Sequence, residues 1–231
     1  METLQGGREG AIYRKGDLVS RPASLWTITI HQLLHHLHAN GFHACPKAVS
    51  IEGGKELLTF VDGESYNYPL QGEIASLSAL TSAAKLLRQL HDASQDFLSR
   101  HQDEVCHWML PTRLPHEVIC HGDFMPYNVA LKDGAVVGIF DFDTAHPAPR
   151  IWDVAFSVYG CSRLEREELV DTMTLRLIAL VDFMRTSAAT GDAQFQANMD
   201  DCHHMTYLQD IEYLKKHHQA ITLGVLGEAP F

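Results

Sequence analysis

"VICHGDFMPYNVAL", Val118 to Leu131, sets a histidine, an aspartate, a proline and an asparagine between two apolar runs. A loop built only to turn the chain needs Gly, Pro or Asn. It has no need of Asp123 and Asn128 five positions apart. The flanking runs read as strands, "EVIC" before the motif and "NVAL" after it. "AVVGIF" then follows Lys132-Asp133-Gly134, and Asp-Gly between two such runs signals a tight hairpin. That hairpin returns the chain from Asn128 to Asp141 and Asp143 of "GIFDFDTA". The two stretches then lie side by side, and their polar groups converge on one edge of the fold.

Such a set suits phosphoryl transfer to a hydroxyl. That reaction needs one carboxylate to orient the acceptor and take its proton, and oxygen ligands for the Mg²⁺ that clamps the nucleotide phosphates. Mg²⁺ keeps several waters, so one or two protein oxygens are enough. The catalytic loop of protein kinases reads H-R-D-x-x-x-x-N, followed by D-F-G. Here His121-Gly122-Asp123 leads to Asn128 and then to Asp141-Phe142-Asp143. Gly122 in place of the arginine, and Asp143 in place of the last glycine, point away from protein kinases. The full pattern, "HGD-x-x-P-x-N … DFD-x-A … WD", resembles the aminoglycoside phosphotransferase and choline kinase superfamily of small-molecule kinases. The resemblance is strongest over Val118 to Ala155. It continues upstream at "GDLVSRP" and "LLTFVDGE", and beyond about Gly160 it has helices but no motif.

This resemblance implies an α+β, two-lobed, protein-kinase-like fold. A small β-rich nucleotide-binding lobe with its hinge would span residues 1–64. A mainly helical lobe would span 65–231 and carry the catalytic loop (121–128) and the metal-binding DFD segment (141–143). Asp123 would be the catalytic base, and Asn128 and Asp141 would hold Mg²⁺. His121 would brace the loop, and Asp153 would hold it through backbone hydrogen bonds. For Asp143, a supporting contact and metal ligation are both open. Arg21 would contact the nucleotide phosphates, and Phe60 and Val61 would lie at the hinge beside the base. The cofactors implied are ATP, or GTP, with Mg²⁺. The acceptor would be a small hydroxylated molecule of aminoglycoside, choline or sugar type.

The upstream third reads as strands around Lys15-Gly16-Asp17 and Glu52-Gly53-Gly54, with a helix between them. The helix has Trp26, Ile30, Leu33, Leu34 and Leu37 at helical spacing and ends at Asn40-Gly41. No Asp or Glu occurs between Pro22 and His38, so the lysine–glutamate pair of kinases has no acid on this helix. A histidine of this segment standing in for that acid is one possible substitute. The glycines of a phosphate loop would be Gly6 to Gly10, with only "METLQ" before them for a strand. These departures motivate an alternative reading as a pseudokinase, a nucleotide-binding module without turnover. After the turn-rich "DGESYNYPLQGE", Leu77, Leu80, Ala84, Leu87 and Leu90 predict one face of a long helix. Further helices are predicted over 164–185 and about 194–218.

A net charge of -11 argues against a nucleic-acid partner, which needs a basic surface, and is compatible with a cationic substrate. The cysteines number five, scattered and without a CxxC, and the first residues carry no apolar leader. No apolar run approaches the length of a membrane span. These features predict a cytoplasmic, reduced protein, while oligomeric state has no signature in the sequence. His31 and His35, one turn apart, raise a metal site, but packing or solvated histidines are the simpler reading. The acidic residues of the last helices read as a solvated face, while the resemblance implies an acidic wall after the catalytic core for cationic acceptors.

Overall fold

The structure is a computed structural model that describes residues 2–3, 12–67, 70–161 and 167–226. Contacts gather the chain into two compact units, Met1–Arg150 and Ile151–Phe231. The proposed phosphate loop at Gly6 to Gly10 lies outside the described residues.

The first unit opens with an antiparallel sheet of β1 (Glu2–Thr3), β2 (Tyr13–Lys15), β3 (Leu18–Pro22), β4 (Ala48–Glu52) and β5 (Lys55–Thr59). Their order is β1-β2-β3-β5-β4. Gly16, at φ +61, and the Gly53-Gly54 pair make the predicted turns. Helix α1 (Thr27–Ala39) lies between β3 and β4 in the chain and buries Ile30, Leu33, Leu34 and Leu37, the spacing that the sequence predicts.

Helix α2 (Leu77–Ser94) is capped by Ser76, whose side chain accepts from the Ala79 N–H. Its buried face is offset from the predicted one. Leu77 and Leu80 are exposed, while Ala79, Leu86, Leu87 and Leu90 are buried. On the buried side Ser82 Oγ accepts from the Val136 N–H at 2.8 Å, a polar tie to the hairpin described next. A one-turn helix, α3 (Phe97–Arg100), follows.

Strand β6 (Val118–Cys120) leads into the motif. The predicted hairpin forms from β7 (Val129–Lys132) and β8 (Ala135–Ile139), with Asp133 and Gly134 both at positive φ as a two-residue turn requires. A pairing that the sequence did not announce joins β6 to β9 (His146–Ala148). It pins the two ends of the motif region together. The segment after β5 also pairs with the hairpin, since Glu64 and Leu131 exchange two backbone hydrogen bonds of 2.8–2.9 Å.

The second unit is helical: α4 (Arg150–Cys161), α5 (Glu167–Ala189), α6 (Ala193–Asp200) and α7 (His203–Leu226). The helix predicted over 194–218 is therefore two, broken at Asp201-Cys202, where Cys202 sits at φ +59. Asp192 caps α6 by accepting from the Gln194 and Phe195 N–H groups. Within this unit His218 pairs with Asp171 at 3.0 Å, and the Arg176 guanidinium stacks on Phe156. No helix of the described residues is long and apolar enough to cross a membrane. A small β-rich N-terminal part followed by a mainly helical remainder is the α+β architecture that the sequence predicts.

Candidate functional site

Eight of the nine candidate site residues lie in the first unit, and backbone geometry explains why several meet. β7 starts at the residue after Asn128, and β8 ends two residues before Asp141. The Phe140 N–H donates to the Asn128 carbonyl at 3.0 Å, so the hairpin stem sets Asn128 beside the DFD segment.

The loop itself is held by His121, which is fully buried. Its Nε2 meets the Phe140 carbonyl at 3.0 Å, and the Asp123 N–H meets its Nδ1 at 3.3 Å. A carbonyl can only accept, so Nε2 carries the proton and Nδ1 accepts. The ring also packs edge-on against Phe142. Gly122 sits at φ +81, and a Cβ there would lie 2.3 Å from the Thr144 carbonyl oxygen. The arginine of the protein-kinase loop has no room at this position. That crowding is the physical reason for the HGD form.

Asp123 is gripped by two donors. Asn128 Nδ2 donates to Asp123 Oδ2 at 2.9 Å and to its backbone carbonyl at 3.0 Å. Tyr127 donates its hydroxyl to Asp123 Oδ1 at 2.8 Å. Because both partners of the Asn128 amide nitrogen are acceptors, its orientation is fixed, and Oδ1 is the end available to a cation. Tyr127 was not anticipated from the sequence. Its spacing of four from Asp123 was the available signal.

Arg21, on β3, is the second centre. Its Nε donates to Glu56 Oε1, one terminal nitrogen to Asp141 Oδ1 and the other to Asp143 Oδ1, each at 2.7 Å. Burial alone would push the guanidinium's pKa down. Asp143, Asp141 and Glu56 outweigh that effect and hold it above the ordinary arginine value. Glu56 on β5 was missed by the sequence reading. It answers the absence of an acid on α1, because the strand register sets Arg21 directly opposite it. His31 of α1 reaches the other oxygen of Glu56 at 2.9 Å. His31 is therefore buried and committed, whereas His35 is exposed, and the two do not converge as metal ligands.

Asp141 takes a left-handed backbone conformation, φ +63, which is uncommon outside glycine and clusters at functional positions. Its side chain is half exposed and that of Asp143 mostly buried. Asn128, Asp141 and Asp143 offer oxygen donors only. That set fits a hard divalent cation such as Mg²⁺ rather than a thiol- or imidazole-seeking metal.

Phe60 and Val61 follow β5 directly and border a cavity of about 320 Å³ shared with His38, His43, Cys45 and Lys47. Neither Arg21 nor Asp141 borders it. The Phe60 N–H is committed to the Asp17 carbonyl at 2.8 Å, and the Phe60 ring lies under the Arg14 guanidinium. Asp153 belongs to the second unit, where it is fully buried on α4 and its carbonyl accepts from Ser157 Oγ.

Fold and motif together define a kinase-like architecture. Residues 99–186 match the model of the phosphotransferase enzyme family. The trifolitoxin immunity protein of Rhizobium leguminosarum bv. trifolii is 28% identical over 181 residues, which is 77% of this chain and 68% of that protein. Among solved structures, a choline/ethanolamine kinase family protein from Mesorhizobium loti superposes with a TM-score of 0.60 at 14% identity, covering 96% of this chain and 92% of that one. The aminoglycoside phosphotransferase APH(2″)-IIa, solved with streptomycin and ATP, gives 0.53 at 12% identity over 92% and 90% of the two chains. The likeness to these solved structures, at 14% and 12% identity, shows a shared kinase-like fold.

Proposed function

We propose that this chain is a phosphotransferase that uses ATP or GTP with Mg²⁺ to phosphorylate the hydroxyl of a small molecule. The observation that carries the reading is the gathering of Asp123, Asn128 and Asp141 at the root of one hairpin, with the Asn128 amide fixed on Asp123. In this reading Asp123 orients the acceptor hydroxyl and takes its proton. Asn128 Oδ1 and Asp141 would hold Mg²⁺, which would neutralise charge on the phosphates when bound. Arg21 presents a fork to the same region, Phe60 and Val61 flank the base, and residues 1–64 act as the nucleotide-binding lobe. Rate enhancement comes from positioning and electrostatics, without a covalent intermediate.

The acceptor we infer is cationic, of the aminoglycoside or amino-alcohol class, in keeping with the chain's net charge of -11. A relative named for toxin immunity and a neighbour holding an aminoglycoside support including antibiotics among the candidates. The test is a nucleoside-diphosphate release assay across aminoglycosides, amino alcohols and sugars. At least one acceptor is turned over by the wild type and none by Asp123→Asn. Retained turnover in that variant removes Asp123 as the base.

One observation favours a second reading, a nucleotide-binding module without turnover. Arg21 already sets a cation on Asp141 Oδ1, one of the two oxygens of a carboxylate that would hold the metal. Nucleotide that stabilises the fold equally with and without Mg²⁺ would favour that module.

A further inference from the structure

We propose that Glu56 is the counter-ion that positions Arg21 and that His31 couples this pair to helix α1. The task that an acid on the helix performs in kinases is then divided between a strand carboxylate and a helix histidine. The catalytic consequence rests on the phosphotransferase reading above, but the network stands on geometry alone.

Three observations lead to it. First, β3 and β5 pair so that Arg21 faces Glu56, and along β5 the inward positions are Glu56 and Leu58. An acid therefore occupies a core-facing register position, with only 2% of its surface exposed. Such a carboxylate is costly to bury unless both oxygens are satisfied. Second, both are: Oε1 accepts from Arg21 Nε at 2.7 Å and Oε2 meets His31 Nε2 at 2.9 Å. A carboxylate accepts, so His31 donates through Nε2. Third, the guanidinium is planar, and fixing Nε fixes the directions of both terminal nitrogens. Held this way, they reach Asp141 and Asp143 at 2.7 Å each. A lysine ammonium in place of Arg21 has no second arm to be steered, so arginine on β3 and glutamate on β5 form a matched pair.

The chain of contacts runs from α1 through Glu56 and Arg21 to the DFD segment without a gap. Movement of α1 that pulls His31 from Glu56 leaves one carboxylate oxygen without this donor and loosens the carboxylate's hold on the guanidinium plane. Glu56 and His31 are positioning residues in this account, because neither touches a reacting atom.

The experiment uses the full chain and needs no acceptor. MgADP and MgGDP affinities are measured by calorimetry for the wild type, Glu56→Gln, His31→Ala and His31→Gln. The arginine Nε–H signal of Arg21, assigned by its loss in Arg21→Lys, is followed by NMR. Glu56→Gln keeps the shape of the side chain but removes the charge. It is expected to weaken nucleotide-metal binding by about tenfold or more, as loss of a supporting partner commonly does. The Arg21 signal moves in the same variant. His31→Ala weakens binding several-fold and His31→Gln, which can still donate to Glu56, restores most of it. Should Glu56→Gln fail to fold, the two His31 variants carry the test with Arg21 and Glu56 intact. Unchanged affinity in every folded variant overturns the positioning role and leaves an ordinary buried ion pair. A wild type that binds neither nucleotide, but whose Arg21 signal responds to Glu56→Gln and His31→Ala, overturns the phosphotransferase reading and keeps the network. An Arg21 signal indifferent to both substitutions overturns the network.

Discussion

The Tyr127 hydroxyl donates to Asp123 Oδ1 at 2.8 Å, on the oxygen opposite the one held by Asn128. The candidate base thus has both oxygens oriented before any acceptor arrives. A hydrogen bond to a charged group contributes about 1.5–3 kcal/mol, and positioned proton transfer is sensitive to small rotations. Tyr127→Phe is expected to lower turnover by roughly tenfold on an identified acceptor, within the span that a positioned base contributes. Nucleotide affinity should stay within about twofold, since no phosphate contact is touched. A kcat equal to that of the wild type would show that Asn128 alone orients the carboxylate.

Gly122 and Gly134 both adopt positive φ, +81 and +71, but differ in their surroundings. A Cβ at Gly134 meets nothing, so Gly134→Ala costs only the left-handed backbone, roughly 1–2 kcal/mol. At Gly122 the new atom would fall 2.3 Å from Thr144 O, a backbone atom that cannot swing away. Gly122→Ala is expected to lose more than about 3 kcal/mol and to displace the loop between His121 and Asp123. Urea unfolding of the two variants side by side checks the contrast. Equal losses would mean that the loop yields without strain.

Two histidines near the end of α1 give the fold a pH dependence. Burial pushes His36 below the usual histidine range, against the pull of Asp96, with His101 and Arg100 adding repulsion. Burial also lowers His38, against the Pro46 and Cys45 carbonyls, with His43 and Lys47 adding repulsion. In the unfolded chain both take up a proton near pH 6.5; in the fold they do so at lower pH. Between those values the unfolded chain binds more protons, so stability is lost as pH falls below about 6.5. The thermal midpoint should drop from pH 7.5 to 5.5, and His38→Gln should flatten that drop. A midpoint that holds steady across this range would contradict the shifts.

Local signals made much of this readable. The Asp133-Gly134 turn predicted the hairpin, and the hairpin delivered Asn128 to the DFD segment. The α1 stripe from Ile30 to Leu37 was equally plain, because helical periodicity is written in consecutive residues. What escaped was non-local. Glu56 looked like one more charge near a turn, and only the β3–β5 register shows it opposite Arg21, 35 residues away. Among the described residues no histidine takes the acid's place beside the Arg21 guanidinium; His31 bonds to Glu56 instead. On α2, Leu77 and Leu80 lie exposed rather than on the buried face, and the contact of Ser82 with β8 involves a partner 54 residues distant. Proposed roles that depend on a bound nucleotide, such as those of Phe60 and Val61, have no periodicity to betray them.

The most direct measurement is calorimetric titration of ATP and GTP into the full chain, with and without Mg²⁺, for the wild type and Asp141→Ala. The account predicts that the wild type binds at least one of the two nucleotides more tightly with Mg²⁺, and that Asp141→Ala erases the Mg²⁺-dependent gain while remaining folded. Absence of binding at millimolar nucleotide, or a Mg²⁺ gain that survives in Asp141→Ala, would contradict it.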